Sequence, residues 1–130
     1  MKKVIIILVV FAVLVGGMIG EIVFVNSFYN GLQTELEAVA ESIELNEDNL
    51  DNPQTVEMCD DLLKKWEKGK NVLLMLQNHN TVRNLDEKIV SLAAVVKSDN
   101  YNDAVIFVRS AINYIDDVLL DSIPYLSNIL

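Results

Sequence analysis

The chain has one histidine, His79, and one cysteine, Cys59, the residue types that most often bind zinc or serve in nucleophilic catalysis. A zinc site would have to combine them with carboxylates, yet their spacing matches no zinc motif. A Ser-His-Asp triad lacks a nucleophile elbow or any second signature beside His79. The sequence therefore predicts no metal, no cofactor and no enzyme activity, and we interpret His79 as a polar residue at a helix bend.

Two further patterns match part of a phosphate- or calcium-binding motif. Gly69-Lys70 has the order found at the end of a phosphate loop, but the earlier glycine is missing and Asn71 stands where Ser or Thr is needed. The acidic strings at 47–51 and 116–117 lack the glycine and the distal glutamate of a calcium loop. Neither pattern predicts a specific site.

Beyond the amino terminus, lysines cluster only between positions 64 and 70. Asp60 precedes Lys64 by four residues and Asp61 precedes Lys65 by four, the order that favours helix ion pairs of about 0.2–0.5 kcal/mol each. We interpret the cluster as a solvated, self-paired helix face rather than an anion site.

The elements that carry these residues are predicted to be helices. Apolar residues recur at steps of three and four along most of the chain, and no stretch of strand length alternates every second residue. The predicted stripes are Ile22, Val25, Tyr29, Leu32, Leu36, Val39 and Ile43; Val56, Cys59, Leu63, Trp66, Leu73 and Leu76, interrupted at Lys70; Val82, Leu85, Ile89, Leu92 and Val96; and Val105, Val108, Ile112, Ile115 and Leu119.

Turn-forming residues divide these stripes. The first helix is expected to continue to about Leu45, weakened at Asn30-Gly31, and the second to begin at Asn52-Pro53. A bend or short break at 78–81 leaves open whether the next segment is a separate helix. After a turn at 98–100, the final helix is predicted over 101–121, stopped by Pro124, with 125–130 packing against the domain.

The amino-terminal segment is predicted to be a membrane anchor, residues 1–25, that contacts lipid through residues 4–25. The 17 residues from Val4 to Gly20 are uncharged, and Glu21 separates them from four more apolar residues. As a helix, 17 to 22 residues extend about 25–33 Å, enough to cross a hydrocarbon core of about 30 Å. Cleavage as a signal peptide, after Val15-Gly16-Gly17, remains the alternative.

Charge predicts the orientation of this anchor. Lys2 and Lys3 precede the apolar segment and the next basic residue is Lys64, so the amino terminus is expected in the cytoplasm and residues 26–130 outside it, at the cell membrane. Without Lys2 and Lys3, 8 basic residues face 19 acidic ones, a net charge of −11. This charge disfavours nucleic-acid binding. With a single cysteine, packing alone must hold the one domain together.

Several features together resemble a domain-of-unknown-function family, number 4363, of small membrane-anchored helical proteins from Gram-positive, spore-forming bacteria. They are the lysine-flanked anchor, Trp66 within an acidic and lysine-rich helix, His79 with Asn80 thirteen residues later, the apolar stripe of the last helix, and Asn128 in the final four residues. The resemblance implies a membrane-tethered helical protein that often accompanies a multi-pass membrane protein. It implies no catalytic residues.

We therefore expect an all-α fold, in which a transmembrane helix continues into an antiparallel three- to four-helix bundle. The leading functional hypothesis is a non-enzymatic interaction subunit of a membrane complex, with Gly16 and Gly20 as a small-xxx-small face for a membrane partner or a second copy. The alternative is a small-ligand sensor, which would need His79, Asn113 and Tyr114 to converge on a pocket. An enzyme would require carboxylates from separate helices to meet in one cleft.

Overall fold

The fold is a ring of four helices, seen in a computed structural model that describes the backbone of residues 1–129 and the side chains of residues 1–120. The helices are α1 (Lys2–Leu45), α2 (Pro53–Leu76), α3 (His79–Lys97) and α4 (Tyr101–Ile129), and residues 1–129 contain no strand. Each helix packs against its neighbours in the chain, and α4 closes the ring against α1. The predicted all-α bundle is confirmed, and α2 and α3 are separate helices.

Core residues recur at alternating steps of three and four on each helix. An average step of 3.5 is the spacing of left-handed coiled-coil packing, which lets antiparallel helices interlock along their length. The α3 stripe is buried as predicted, and so is most of the α1 stripe. The core positions are Tyr29, Leu32, Leu36, Val39 and Ile43 on α1; Thr55, Cys59, Leu62, Trp66, Gly69 and Leu73 on α2; Val82, Leu85, Ile89, Leu92 and Val96 on α3; and Ala104, Val108, Ala111 and Ile115 on α4.

Most predicted helix boundaries are confirmed. α1 runs unbroken through Gly31 and ends at Leu45. α2 begins at Pro53, where the Asn52 side chain accepts a hydrogen bond from the Thr55 N–H at 3.0 Å and caps the helix. The break between α2 and α3 lies at residues 77–78, at the start of the segment expected to bend.

The prediction that α4 ends at Asp121 is wrong, because α4 continues to Ile129. Pro124 removes one backbone donor and crowds only the turn before it, so a helix can continue through a proline at a local cost. The expected packing of residues 125–130 concerns side chains outside the described residues.

The first half of α1 stands apart from the bundle. Its residues before Glu21 are exposed, and the most apolar part of the helix has none of its residues buried. Among the described residues, α1 is the one helix long and apolar enough to cross a membrane. One continuous helix therefore links an exposed apolar segment to the bundle core.

Candidate functional site

A hydrogen-bonded cluster joins α2 to α3 in the half of the bundle nearer the apolar segment. Trp66 is fully buried, and its indole Nε1–H donates to Asp86 Oδ1 at 2.8 Å. Lys70 Nζ lies 3.4 Å from the same oxygen and 3.1 Å from Glu67 Oε2. Because a buried indole N–H needs an acceptor, Asp86 both satisfies Trp66 and ties the two helices together.

Lys70 is held as a cation by this arrangement. Its hydrogen bond to Glu67 is the largest influence raising its pKa, while desolvation lowers the pKa and Asp86 raises it further. Since the side chains of Lys70 and Asp86 are about a quarter and a third exposed, water screens the pair. The pair therefore positions side chains more than it stabilises the fold.

Phe28 of α1 packs against Trp66, in a space that Gly69 leaves open. The Phe28 and Trp66 ring centroids are 6.2 Å apart, and Phe24 stacks on Phe28 at 6.0 Å. A β-carbon built on Gly69 would overlap the Phe28 ring far inside van der Waals contact. The absence of a side chain at Gly69 thus lets α1 approach α2 at this level.

Tyr29 links α1 to the end of α2. Its hydroxyl donates to Gln77 Oε1 at 2.6 Å, and the ring is fully buried. Burial, with a smaller contribution from the charge of Tyr114, raises the pKa of Tyr29 to about 12. Tyr29 therefore stays neutral and able to donate well above the pH at which an exposed tyrosine ionises.

A groove of about 330 Å³ opens between α2 and α3 beside this cluster. Arg83 and His79, one helical turn apart on α3, are exposed there. Among residues 1–120, no acidic side chain lies within ion-pairing distance of Arg83. The groove is lined by Lys70, Leu74, His79, Val82, Arg83 and Asp86.

The sequence matches the domain of unknown function DUF4363 over residues 22–129, which include all four helices of the bundle from the first residue after Glu21. The chain belongs to the DUF4363 family. No curated protein and no solved structure matches it. The resemblance found in the sequence is thus confirmed at the level of the family, whereas its bacterial source and membrane tether remain predictions.

The predicted signature residues of this DUF4363 chain lie in different environments. Trp66 is in the core, as expected, but His79 and Asn80 are exposed in the first turn of α3. The Asn78 side chain caps that turn by accepting from the Asn80 N–H at 2.8 Å. Asn128 lies in α4, and its side chain is outside the described residues. The structure therefore brings Trp66 and His79 near one groove without direct contact between them.

Gly16 and Gly20 lie in the exposed part of α1. A β-carbon at either position would meet no atom within 4 Å. Their face is therefore free within the described chain, and its use in helix packing stays a prediction.

The ion pairs predicted at steps of four within α2 do not form, although Lys70 does pair with Glu67 of its own helix at 3.1 Å. Lys65 Nζ pairs with Glu35 of α1 at 3.0 Å, and Asp60 pairs with Lys97 of α3 at 3.1 Å. Asp60 is therefore paired with Lys97 rather than with Lys64, and Lys65 is paired with Glu35 rather than with Asp61. Neighbouring helices lie close enough for their charged side chains to replace the partner four residues away on the same helix. The residue spacing within one helix does not show which partner is chosen.

Groups suited to metal or nucleophilic chemistry do not assemble in the described part of the chain. No group of three His, Cys, Asp or Glu side chains could hold a metal ion among the side chains of residues 1–120. Cys59 is buried, as expected, and burial together with the nearby Asp60 charge raises its pKa to about 11, against a smaller opposing effect of Lys97. A thiol of that pKa is a weak nucleophile at neutral pH.

The three residues of the sensor hypothesis are not brought together. The groove that contains His79 includes neither Asn113 nor Tyr114. Asn113 is exposed, and the Tyr114 ring lies under Lys88, with the ammonium 5.7 Å from its centroid. No arrangement in the described residues therefore favours a pocket built from this set.

Sequence reasoning missed Gly69, Phe28, Arg83 and Asp86. Gly69 continues the four-three-four steps from Leu62 through Leu73, and this spacing was the available signal for a core position without a side chain. His79, Arg83 and Asp86 follow one another at steps of four and three, which places them on one helix face. That spacing could have indicated the groove.

Proposed function

We propose that this DUF4363 protein is a non-enzymatic interaction subunit of a membrane complex. The amino-terminal segment anchors it in the cell membrane, and the acidic bundle lies on the extracytoplasmic side. The glycine face of the anchor docks on a membrane partner or on a second copy of the chain.

The observation that carries this proposal is the continuity of α1. Its apolar residues before Glu21 are exposed, while the same helix supplies fully buried Tyr29, Leu32 and Leu36 to the core. Exposed apolar surface costs about 25 cal/mol per Å² in water, so a segment of this length and composition is favoured in lipid or against a partner. A helix rigidly built into the bundle carries any contact made in the membrane to the domain outside.

The charge distribution supports the orientation. Lys2 and Lys3 flank one end of the apolar segment, whereas the other end is followed by Glu21 and then by an acidic domain. Basic flanks are retained in the cytoplasm.

The position of the glycines supports partner docking on the anchor. Nine residues separate Gly20 from Tyr29, which is two and a half helical turns, so Gly20 faces away from the bundle core. Exposed small residues, Ser27, Thr34 and Ala38, continue that side of α1. A partner helix could therefore approach this face closely without displacing α2, α3 or α4.

Purification of the tagged full chain from membranes in mild detergent tests the proposal. We expect a complex larger than the monomer, either with a membrane protein or as a dimer. Changing Gly16→Ile and Gly20→Ile together should release the partner, because the two added side chains hold the helices apart.

Met18→Phe is the matched control, since it adds bulk on the opposite side of the same helix. We expect this variant to keep the complex. Recovery of the unaltered chain alone at monomer mass would contradict the proposal, and so would equal loss of the complex in both variants.

A further inference from the structure

One end of the groove between α2 and α3 lies near the height where the apolar segment ends. Two contacts set the register of α1 against α2: Phe28 lies beside Gly69, and Ser42 Oγ is 2.8 Å from Thr55 Oγ1. Fourteen residues separate the two contacts on each helix, so the helices run antiparallel without slippage. Seven residues below the Phe28–Gly69 contact, or about 10 Å, Leu76 lies level with Glu21.

In this register, the end of the bundle nearest the apolar segment, here called the bundle base, lies level with Glu21, the first charged residue after that segment. The polar residues Gln77 and Asn78, which connect α2 to α3, lie near the height of Gly20. Polar backbone and amide groups are unfavourable in hydrocarbon, so the hydrocarbon can extend no further than this turn. If the anchor spans the membrane, as proposed above, it spans from Val4 to Gly20, and residues 22–25 belong to the bundle rather than to the lipid-embedded segment.

The end of the groove nearest the apolar segment then lies within the headgroup layer, whereas Lys70, level with Ser27, lies about 10 Å beyond Gly20. That layer extends about 5–7 Å beyond the hydrocarbon on each side, and Leu74 lies level with Val23, about 4 Å beyond Gly20. Helical side chains lean toward the amino end of their own helix, so Arg83 and His79 on α3 lean toward the bundle base.

The charges of the groove suit a phosphate group. Asp86 is already bonded to Trp66 and Lys70, and Glu67 to Lys70, whereas Arg83 faces the groove with no acidic side chain of residues 1–120 in pairing range. Arginine binds phosphate through two parallel N–H donors. The positive end of the α3 dipole lies at His79, on the same side of the groove. Leu74 and Val82 supply an apolar wall.

We propose that this groove binds the phosphodiester headgroup of a membrane phospholipid, held by Arg83 and His79 at the end of the groove nearest the apolar segment. This inference rests on the proposed membrane anchoring. The net charge of −11 that follows Lys3 opposes long-range attraction to an anionic surface. The anchor, however, holds the groove beside the lipid, where contacts shorter than the Debye length of about 8 Å decide binding. The bound headgroup would fix the tilt of the bundle over the membrane.

The test measures retention of phosphatidylglycerol by the full chain, purified in mild detergent, by native mass spectrometry. We expect one retained phosphatidylglycerol, and roughly tenfold weaker retention in Arg83→Gln, because one charge-assisted contact is removed. Lys64→Gln, which removes one exposed positive charge elsewhere on α2, should retain the lipid as the unaltered chain does.

Three results would overturn the inference: no retained phosphatidylglycerol, equal loss in Arg83→Gln and Lys64→Gln, or full displacement of the lipid by millimolar inorganic phosphate, which would indicate a site for the free ion. Flotation of the chain with phosphatidylcholine vesicles separates this failure from failure of the anchor. A chain that floats but does not retain phosphatidylglycerol keeps the anchor and loses only the groove assignment.

Discussion

Gly69 occupies a core position of α2 where a glycine would ordinarily be costly. Replacement of glycine by alanine in a helix gains up to about 1 kcal/mol, but here the added methyl would overlap the Phe28 ring, and overpacking costs about 1–3 kcal/mol. We expect Gly69→Ala to lower the free energy of unfolding, measured by thermal or denaturant unfolding of the full chain in detergent.

Gly31→Ala is the matched control for that prediction. Its added β-carbon would lie 3.1 Å from Lys65 Nζ, the far end of a flexible, partly exposed side chain that can shift while it keeps its pair with Glu35. We expect Gly31→Ala to be neutral or stabilising. Restoration of stability by Phe28→Leu in the Gly69→Ala chain would identify the Phe28 ring as the cause of the destabilisation. An equal effect of the two alanine substitutions would instead show that helix propensity alone determines the change in stability.

Tyr29 gives the fold a dependence on alkaline pH. An unfolded tyrosine ionises near pH 10, whereas the pKa of folded Tyr29 is raised to about 12 by burial and by Tyr114. The stabilisation is fully present below pH 10 and is lost as the pH rises through 12, a change on the order of 2–3 kcal/mol. We expect the unfolding free energy to fall across this range, and to fall less in Tyr29→Phe.

Asp86 connects two helices, so its removal is predicted to act on the α2–α3 pair. Asp86→Ala would leave the buried Trp66 N–H without its acceptor and Lys70 without one of two carboxylates, at a cost of about 1–3 kcal/mol. Unfolding experiments should report this loss. Trp66 is the sole tryptophan, so its fluorescence should also shift specifically in this variant.

Glu87→Ala is the control for Asp86, because Glu87 is the next residue on α3 and is exposed. It should leave both the stability and the Trp66 emission unchanged. Asp86→Asn, which keeps an acceptor oxygen, should retain more stability than Asp86→Ala. Equal effects of all three substitutions would show that Trp66 does not depend on this hydrogen bond.

Element prediction succeeded where the core is made of large side chains, and α3 is the clearest case. Its five predicted stripe residues are all buried, since Val, Leu and Ile at steps of three and four leave little choice of face. In α2 the stripe passes through Gly69, and the ring that fills this position comes from Phe28, far away in the sequence. No pattern within one helix reports the neighbour that fills such a gap, which is also why the Asp86 and Lys65 partners were missed.

At the scale of the whole molecule, the predicted orientation can be tested by labelling. Leu45 is largely exposed at the end of α1 far from the apolar segment, and the native Cys59 is buried with a pKa of about 11. In a Cys59→Ser background, we expect Leu45→Cys to react with a membrane-impermeant maleimide added to intact cells, because the bundle is predicted to lie outside the cytoplasm.

Lys2→Cys in the same background should react only after the cells are lysed. The reverse pattern, with the residue-2 thiol labelled in intact cells and the residue-45 thiol protected, would contradict the orientation. Labelled protein found free in the medium would instead indicate cleavage of the apolar segment.

The unbroken α1 helix also constrains chain length between Gly20 and Tyr29. Each inserted residue rotates Gly16 and Gly20 by about 100° around the helix axis relative to the bundle. One added alanine would therefore turn the glycine face well away from its present direction. Seven added residues would nearly restore that direction and would move the bundle about 10 Å further from the membrane. Partner binding should therefore vary periodically with insert length. A flexible joint at this point would abolish the periodicity.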